Sequence, residues 1–153
     1  MAIKKVLDTK EFTKVIKDLD ILFAEENKKN GHNFLKISAE SILNSWNHVA
    51  YLYNSMHVWV NYNENNSVDG MVMFYEFINP AFGQRFFMEY LWLSKNPIKS
   101  FQLINTALKF AKKRKIKYVT LSCVENYPKK SKLEKIYKKL GFIKDSSTYI
   151  KKL

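Results

Sequence analysis

Three consecutive β-rich segments, separated only by short breaks, occupy the middle of this 153-residue chain. Residues 57–62 and 68–78 flank a polar turn, and residues 85–93 follow the chain-breaking segment Asn79-Pro-Ala-Phe-Gly83. Connections this short join antiparallel neighbours, because a parallel pair needs a crossover of a dozen or more residues. The pattern therefore predicts an antiparallel meander.

Helical patterns lie on both sides of the meander. Two precede it, over residues 9–29 and 38–54, with apolar residues at helical spacing. Pro97 then opens a helix over about residues 97–114, because proline is favoured in the first turn of a helix. We expect the inner face of this helix to carry Phe101, Ile104, Leu108 and Ala111, with Leu103, Ala107 and Phe110 beside them.

A strand, a short helix and a final strand complete the chain, over residues 118–123, 133–140 and 148–150. The predicted order is ααβββαβαβ. The fold class is therefore α/β (α+β), with two N-terminal helices followed by a mixed central β-sheet flanked by helices. Because no linker, repeat or low-complexity tract divides the sequence, we expect one domain over residues 1–153.

Several classes of protein are disfavoured by the composition. Cys123 is the only cysteine, so an intrachain disulfide framework is excluded. No apolar run reaches the roughly 18 residues of a membrane span, and the first residues lack the apolar core of a secretory signal. The three histidines are too far apart in sequence for a recognisable metal motif. These features predict a cytoplasmic protein with no metal and no membrane association.

The positive charge is concentrated in the last third of the chain. The net charge is +12, and residues 97–153 contain 16 basic and three acidic residues. This excess predicts an anionic partner, nucleic acid among the candidates. Only Arg85 and Arg114 are arginines, however, and the guanidinium group of arginine matches the geometry of a phosphate better than the ammonium group of lysine does. A solvated basic face that reflects a lysine-rich composition is the alternative.

The segment Leu133-Glu-Lys-Ile-Tyr-Lys-Lys-Leu-Gly-Phe142 is the most specific motif. A helix ending in "IYKKLGF" after a strand, a long helix and a strand resembles the C-terminal half of the GNAT N-acetyltransferase superfamily. The resemblance covers residues 57–153, and it extends to the first two helices only through their order. It implies an N-acetyltransferase that uses acetyl-CoA as co-substrate and transfers acetyl directly to an amine acceptor in a ternary complex.

The resemblance also assigns residues to the acetyl-CoA site. The pantetheine arm would pair with the backbone of Leu91, Trp92 and Leu93, in the strand before the long helix. The pyrophosphate would lie at the start of that helix, where backbone N–H groups and the helix dipole favour an anion. The matching residues are Lys95, Ile98, Lys99, Ser100 and Phe101. No glycine occurs between Trp92 and Leu103, whereas the family's phosphate loop is glycine-rich.

Two residues match the catalytic positions of the superfamily. Tyr137 corresponds to the tyrosine whose hydroxyl protonates the departing CoA thiolate, although it also belongs to the apolar stripe of its helix. Glu89 lies within an apolar, aromatic strand, where many relatives place an acidic base. A buried carboxylate there would have a raised pKa, which suits a base at neutral pH.

The missing glycines keep a second hypothesis open. On this second hypothesis the chain is a catalytically inactive GNAT-like binding module, whose basic C-terminal third binds nucleic acid or an acidic protein.

Overall fold

The structure, a computed structural model, describes residues 3–29, 36–50, 55–122 and 130–145. Its five strands form one sheet in the order β1-β2-β3-β4-β5. The first four are antiparallel to their neighbours, and β5 is parallel to β4. The strands are β1 (Ile3–Val6), β2 (Met56–Tyr62), β3 (Val68–Asn79), β4 (Gln84–Ser94) and β5 (Tyr118–Thr120).

The helices lie before, between and after these strands. Three precede β2, a long one joins β4 to β5, and a short one follows β5. They are α1 (Thr9–Asp18), α2 (Asp20–Lys29), α3 (Ala39–Ser45, continued by a π-helical turn Trp46–Ala50), α4 (Pro97–Lys113) and α5 (Lys130–Lys139). The mixed sheet with helices confirms the predicted fold class.

Both faces of the central strands are covered, which explains why nearly all of β2 is buried. The residues of β2 alternate between two apolar cores: Val58 and Val60 pack with α1, α2 and α3, whereas Trp59 packs with α4. Because a strand turns successive side chains to opposite faces, the consecutive apolar residues at positions 58–60 suit a strand that is buried on both sides. The sheet is therefore the middle layer between two groups of helices.

The N-terminal part differs from the prediction in three respects. The predicted order lacked β1, which pairs with β2 from Ile3↔Asn61 to Val6↔Val58. The single helix predicted over 9–29 is broken at the buried Leu19, whose ψ is 0°. The Asp18 carboxylate there accepts a hydrogen bond from the backbone N–H of Val68, 3.1 Å away, which fixes the break against β3.

The second predicted helix, over 38–54, is α-helical only as far as Ser45 and then becomes a π-turn. At this change the Trp46 ring stacks on Phe12 at 4.3 Å, and its indole N–H donates to the Thr9 hydroxyl. Residues 51–54 of that prediction lie outside the described residues. So do the predicted strand 148–150 and Cys123, the last residue of the predicted strand 118–123. Leu121 and Ser122 are described but lie beyond β5, so this strand is shorter than predicted.

Helix α4 has the predicted bounds to within one residue, but one position of its predicted inner face is wrong. Phe101 is 38% exposed and Leu108 is only partly buried. The buried stripe is Leu103, Ile104, Ala107 and Ala111. Alanines at the contact allow the helix to approach the large aromatic side chains of the sheet closely.

Both arginines of the chain bind a single carboxylate, that of Glu76 on β3. Arg85 Nε lies 3.4 Å from Oε1, and Arg114 Nε lies 3.2 Å from Oε2. His57 Nε2 is 3.1 Å from the same Oε2 and completes the cluster. Glu76 therefore connects β2, β3 and β4 to the C-terminal end of α4, through hydrogen bonds strengthened by charge.

The His57 ring is only 3% exposed and lies 4.8 Å from the Phe110 ring. Burial, followed by the nearby Lys5 ammonium, lowers the pKa of His57 to about 4, although the hydrogen bond and charge of Glu76 oppose this effect. The unfolded chain binds a proton on this residue below its ordinary pKa of 6.5, whereas the folded protein does so only near pH 4. Stability from this group is therefore lost as pH falls from 6.5 towards 4.

We predict that His57→Phe reduces this loss of stability, since an apolar ring cannot be protonated in the unfolded chain. Urea unfolding measured from pH 7 to pH 4 gives the comparison. The free energy of unfolding of wild type should fall more steeply with acidification than that of the variant. His48→Gln, at an exposed histidine of the π-turn, should keep the wild-type slope. Equal slopes in wild type and His57→Phe would contradict the assignment.

Candidate active site

Strands β4 and β5 are paired over only three residues and then separate. The paired residues are Phe86↔Tyr118, Phe87↔Val119 and Met88↔Thr120. Strand β5 ends there, whereas β4 continues for six residues to Ser94. Along that stretch β4 remains paired with β3, but its other edge has no partner strand among the described residues. The exposed edge supplies backbone donors and acceptors to a gap, here called the β4–β5 gap.

A β-bulge lies at the point of separation. Met73 of β3 pairs with Leu91, and the next residue, Phe74, pairs with Glu89, so Tyr90 is an extra residue on β4. Such an insertion shifts the alternation of side chains between the two faces. Phe87 packs in the α4 core, as does Trp92, whereas Leu91 and Leu93 pack in the α1–α3 core. Tyr90 is left 47% exposed.

Glu89 is the first residue of β4 beyond the paired segment. Its Oε2 accepts a hydrogen bond from the backbone N–H of Ser122, at 2.9 Å. Enclosure by the surrounding protein raises the pKa of Glu89 to about 7, and the hydrogen bonds from Ser122 oppose part of this rise. A carboxyl group with this pKa is present in both protonation states at neutral pH, which is what proton transfer requires.

Tyr137 reaches the same residue from α5. Its hydroxyl donates to the carbonyl oxygen of Ser122 at 2.7 Å, and its ring stacks against Trp92 with 6.4 Å between ring centres. The helix ends at Gly141, whose φ of +85° favours glycine, and the backbone N–H of Phe142 bonds to the Tyr137 carbonyl. The "YKKLGF" motif is thus the helix terminus that positions this tyrosine.

The structure therefore brings the two predicted catalytic residues together. Glu89 binds the N–H of Ser122 and Tyr137 binds its carbonyl group, so the backbone of one residue connects them. Sequence reasoning missed Ser122, since no side-chain signal marks a residue that acts through its backbone. Trp92 also contributes a feature beyond its backbone: its indole N–H is buried and has no hydrogen-bond partner in the described part of the chain.

The start of α4, where the resemblance places a pyrophosphate, has its own hydrogen bonds. The Asn96 side chain caps the helix by accepting from the N–H groups of Ile98 and Lys99, at 3.0 and 3.2 Å. The Ser100 N–H donates to the Asn96 carbonyl, and the Asn96 N–H donates to the Ser94 hydroxyl. Pro97 has no N–H.

The side chains at this end are also engaged or apolar. The Lys99 ammonium lies 3.3 Å from both Asp69 Oδ2 and the Tyr62 carbonyl oxygen. Ile98 is 73% exposed, and Phe101 is exposed beside it. Lys95 is exposed as well, while its backbone N–H donates to the Asp69 carbonyl at 3.0 Å. The predicted pyrophosphate residues are therefore together in space, but their amides are bound within the chain.

Asn96 is the residue that sequence reasoning overlooked here. Asparagine is among the preferred N-cap residues, and proline is favoured directly after the cap. The pair Asn96-Pro97 carried that signal, and it identifies a helix start that satisfies its own N–H groups.

A cleft of about 280 Å³ lies beside the bulge, on the side of α3. Residues 36–38, Ser41, Ile42, Tyr90 and Leu91 line it. Tyr90 thus contacts the cleft while its chain neighbour Glu89 faces Ser122. Among the described residues that line it, the cleft offers hydroxyl groups and the cation of Lys36.

The described residues contain no group of three or more His, Cys, Asp or Glu side chains that could hold a metal ion. None of the described helices combines the length and apolar character needed to cross a membrane.

Comparison with known proteins identifies the fold. No protein-family model matches the chain, and no curated protein matches it in sequence. Solved structures do match over its full length. A ribosomal-protein-alanine N-acetyltransferase from Brucella melitensis biovar Abortus superposes with a TM-score of 0.67 and 15% identity, covering 100% of both chains.

Two further structures include a bound ligand. A predicted acetyltransferase from Clostridium acetobutylicum, solved with acetyl-CoA, has a TM-score of 0.68 and 14% identity, covering 99% of this chain and 95% of its own. An aminoglycoside acetyltransferase from an uncultured soil metagenomic sample, in complex with sisomicin, gives a TM-score of 0.67 with the same identity and coverage. The resemblance seen in the sequence is thereby confirmed: this chain has the fold of the GNAT acetyltransferases.

Proposed function

We propose that the protein is an acetyl-CoA-dependent N-acetyltransferase, and that transfer takes place in the β4–β5 gap. The observation that carries the proposal is the convergence of Glu89 and Tyr137 on Ser122, at the point where β4 leaves β5. A carboxyl group with a pKa of about 7 and a phenol are the acid–base groups that acyl transfer to an amine needs.

Glu89 would act as the base. An acceptor amine is an ammonium ion at neutral pH, and its nitrogen attacks only after losing a proton to the carboxylate. The free amine then attacks the carbonyl carbon of the thioester, a carbon–nitrogen bond forms, and the carbon–sulfur bond breaks. The acetyl group ends on nitrogen, and the thiolate leaves with the electron pair.

Tyr137 would act as the acid. Its hydroxyl now donates to the Ser122 carbonyl, and rotation about the carbon–oxygen bond would redirect the proton to the departing thiolate. The Trp92 ring against Tyr137 limits access of water on that side. Exclusion of water strengthens the interactions that a thiolate makes with the groups around it.

The open edge of β4 would hold the donor. Beyond Glu89 the backbone of Leu91, Trp92 and Leu93 is paired with β3 on one side, and no described strand pairs with the other side. Amide groups of a pantetheine arm can add to such an edge as another strand does. The unpartnered indole N–H of Trp92 is a further donor close to Tyr137.

The cleft at Tyr90 would receive the acceptor, because Tyr90 adjoins Glu89 in the chain and lines the cleft. Its volume suits a small molecule or the end of a side chain. Residues 31–96 contain three basic and five acidic residues, a balance that suits a cationic acceptor, but the charged residue among the described residues that line the cleft is Lys36. The lining thus favours an amine with hydrogen-bonding groups over a polycation.

We expect the Glu89 carboxyl group to titrate near pH 7, since the folded protein stabilises the neutral form. Carbon-13 NMR of protein labelled at glutamate carboxyls, with Glu89→Gln to assign the signal, measures this directly. A Glu89 signal that titrates at the ordinary glutamate pKa of 4.5 would remove the basis for the general-base role.

The Tyr137→Phe variant lacks the proposed acid. Its rate of acetyl transfer to the best substrate in a panel of primary amines should be lower than that of wild type by about 10²–10⁴-fold. The KM for acetyl-CoA should change little, because the ring still stacks on Trp92. Release of the free thiol during steady-state turnover measures both constants.

Tyr118→Phe is the matched control, since this β5 tyrosine is 48% exposed and is not part of the gap. Its turnover should equal that of wild type. If Tyr137→Phe loses stability while keeping wild-type turnover, the tyrosine only anchors Ser122 and the proposed acid role is wrong.

The self-capped start of α4 favours a second candidate, a GNAT-like module that binds nucleic acid or an acidic protein without catalysis. Its basic residues would include Lys112, Lys113, Lys115 and Lys117, which are exposed at the C-terminal end of α4. Arg114, in contrast, is bound to Glu76.

Binding to a short DNA duplex tests this candidate. If the basic surface neutralises phosphates, affinity should fall at least tenfold between about 50 and 200 mM salt, because counterion release drives such binding. Replacing Lys112, Lys113 and Lys115 by Gln should weaken DNA binding relative to wild type at the same salt concentration. Retention of acetyl transfer with no DNA binding at low salt would reject the module in favour of the enzyme.

A further inference from the structure

The most complete set of contacts outside the catalytic pair is the one that closes the start of α4. From residue 95 to residue 100 every backbone N–H has an acceptor within the chain. The acceptors are the Asp69 carbonyl for Lys95, the Ser94 hydroxyl for Asn96, the Asn96 side chain for Ile98 and Lys99, and the Asn96 carbonyl for Ser100. Pro97 supplies no N–H. No amide is free to bind a phosphate.

The sheet beneath this segment adds to the closure. Asn61 donates to Asp69, and Asp69 pairs with Lys99. The Ser94 hydroxyl also donates to the Asn96 carbonyl at 2.9 Å. A Cβ atom on Gly70 would lie 2.4 Å from Asn61 Oδ1 and 2.8 Å from Ser94 Oγ, so this polar layer is packed tightly against β3. A phosphate would have to break several of these contacts at once.

Charge at this end gives little compensation. The Lys99 ammonium is 3.3 Å from the Asp69 carboxylate, which offsets its charge. Lys95 is exposed, and solvent and salt screen the attraction of an exposed cation for an anion. Ile98 and Phe101 present apolar surface beside it. The nucleotide half of CoA therefore does not fit the start of α4.

The part of the donor site along β4, in contrast, offers polar groups to a ligand. The edge of β4 beyond Glu89 is unpaired among the described residues, and Trp92 has a buried N–H with no partner. We propose that this protein recognises its donor as a pantetheine thioester, through the acyl group and the pantetheine arm, and makes no energetic use of the 3′-phospho-ADP part. The proposal rests on the acetyltransferase function proposed above, and it specifies the donor class.

The chemistry is unchanged by this restriction. The acceptor nitrogen gains the acetyl group, the carbon–sulfur bond breaks, and the thiol of pantetheine leaves in place of the thiol of CoA. The ammonium proton passes to Glu89, and the thiolate takes a proton from Tyr137. Both groups lie at the gap, where they bind the backbone of Ser122.

The test compares three compounds on wild-type protein by calorimetry: acetyl-CoA, S-acetyl-pantetheine and 3′,5′-ADP. We expect the two thioesters to bind with dissociation constants within about threefold of each other, and 3′,5′-ADP neither to bind nor to displace them. An S-acetyl-pantetheine affinity more than about 30-fold below that of acetyl-CoA would overturn the inference while leaving the acetyltransferase proposal intact. Failure of both thioesters to bind would overturn the two together.

Asn96→Ala provides an independent measurement. Without the cap, the N–H groups of Ile98 and Lys99 are free, so affinity for acetyl-CoA should rise about three- to tenfold while that for S-acetyl-pantetheine stays constant. Asn79→Ala is the matched control, because Asn79 also accepts from a backbone N–H, that of Ala81, but in the β3–β4 turn. Asn96→Gly serves if the alanine variant unfolds, since glycine is tolerated at the cap position. Unchanged acetyl-CoA affinity in the folded variants would contradict the role given to Asn96.

Discussion

The separation of β4 from β5 is the constraint on which the rest of the site depends. A parallel pair satisfies the backbone groups of both strands, and here that pairing ends after Met88↔Thr120. Side chains then hold the chain after β5. The Glu89 carboxylate accepts a hydrogen bond from the Ser122 N–H, and the Tyr137 hydroxyl donates one to the Ser122 carbonyl. Because the same two side chains are the proposed base and acid, the contacts that keep the strands apart also assemble the chemistry.

Raised proton affinity follows from the same geometry. Glu89 lies where the sheet ceases to be continuous, so its carboxyl group is enclosed by protein and forms no ion pair with a cation among the described residues. A backbone N–H compensates only part of the lost hydration, and the pKa therefore rises. Glu76, on the neighbouring strand, shows the contrast, because two arginines and His57 surround it. The Glu76 carboxylate is held in ion pairs, whereas the Glu89 carboxyl group remains able to exchange a proton.

Much of this arrangement was predictable from local pattern. The meander, α4 and the helix that ends at Gly141 have strong periodicity and clear stop signals, and the motif around Tyr137 placed that residue correctly. Strand β1 was missed because four residues at a chain end carry too little periodicity, and the broken first helix depends on a tertiary contact between Asp18 and Val68. The bulge at Tyr90 was equally invisible, since pairing register decides it rather than residue type.

Asn96 links helix stability to ligand recognition. A glycine-rich start leaves amides available for phosphate, whereas an N-cap side chain satisfies them at once and stabilises the helix by about 1 kcal/mol. In this chain the N-cap side chain satisfies the amides. The contact of Ser94 with the Asn96 N–H and the contact of Asp69 with Lys99 stabilise this arrangement from the side of the sheet. Helix α4 can then pack its buried stripe on the sheet without a ligand at its N-terminus, and the edge of β4 is the surface that we propose for donor recognition.

The most direct measurement is a crystal structure of the protein with a non-reactive thioether analogue of acetyl-CoA. The acyl end should lie in the β4–β5 gap within hydrogen-bond reach of Glu89 and Tyr137, with the pantetheine amides paired to the backbone of Leu91–Leu93. The Asn96 cap should be intact, with no phosphate on the amides of α4. A pyrophosphate bound at those amides with Asn96 displaced, or an acyl group located away from the gap, would contradict this account.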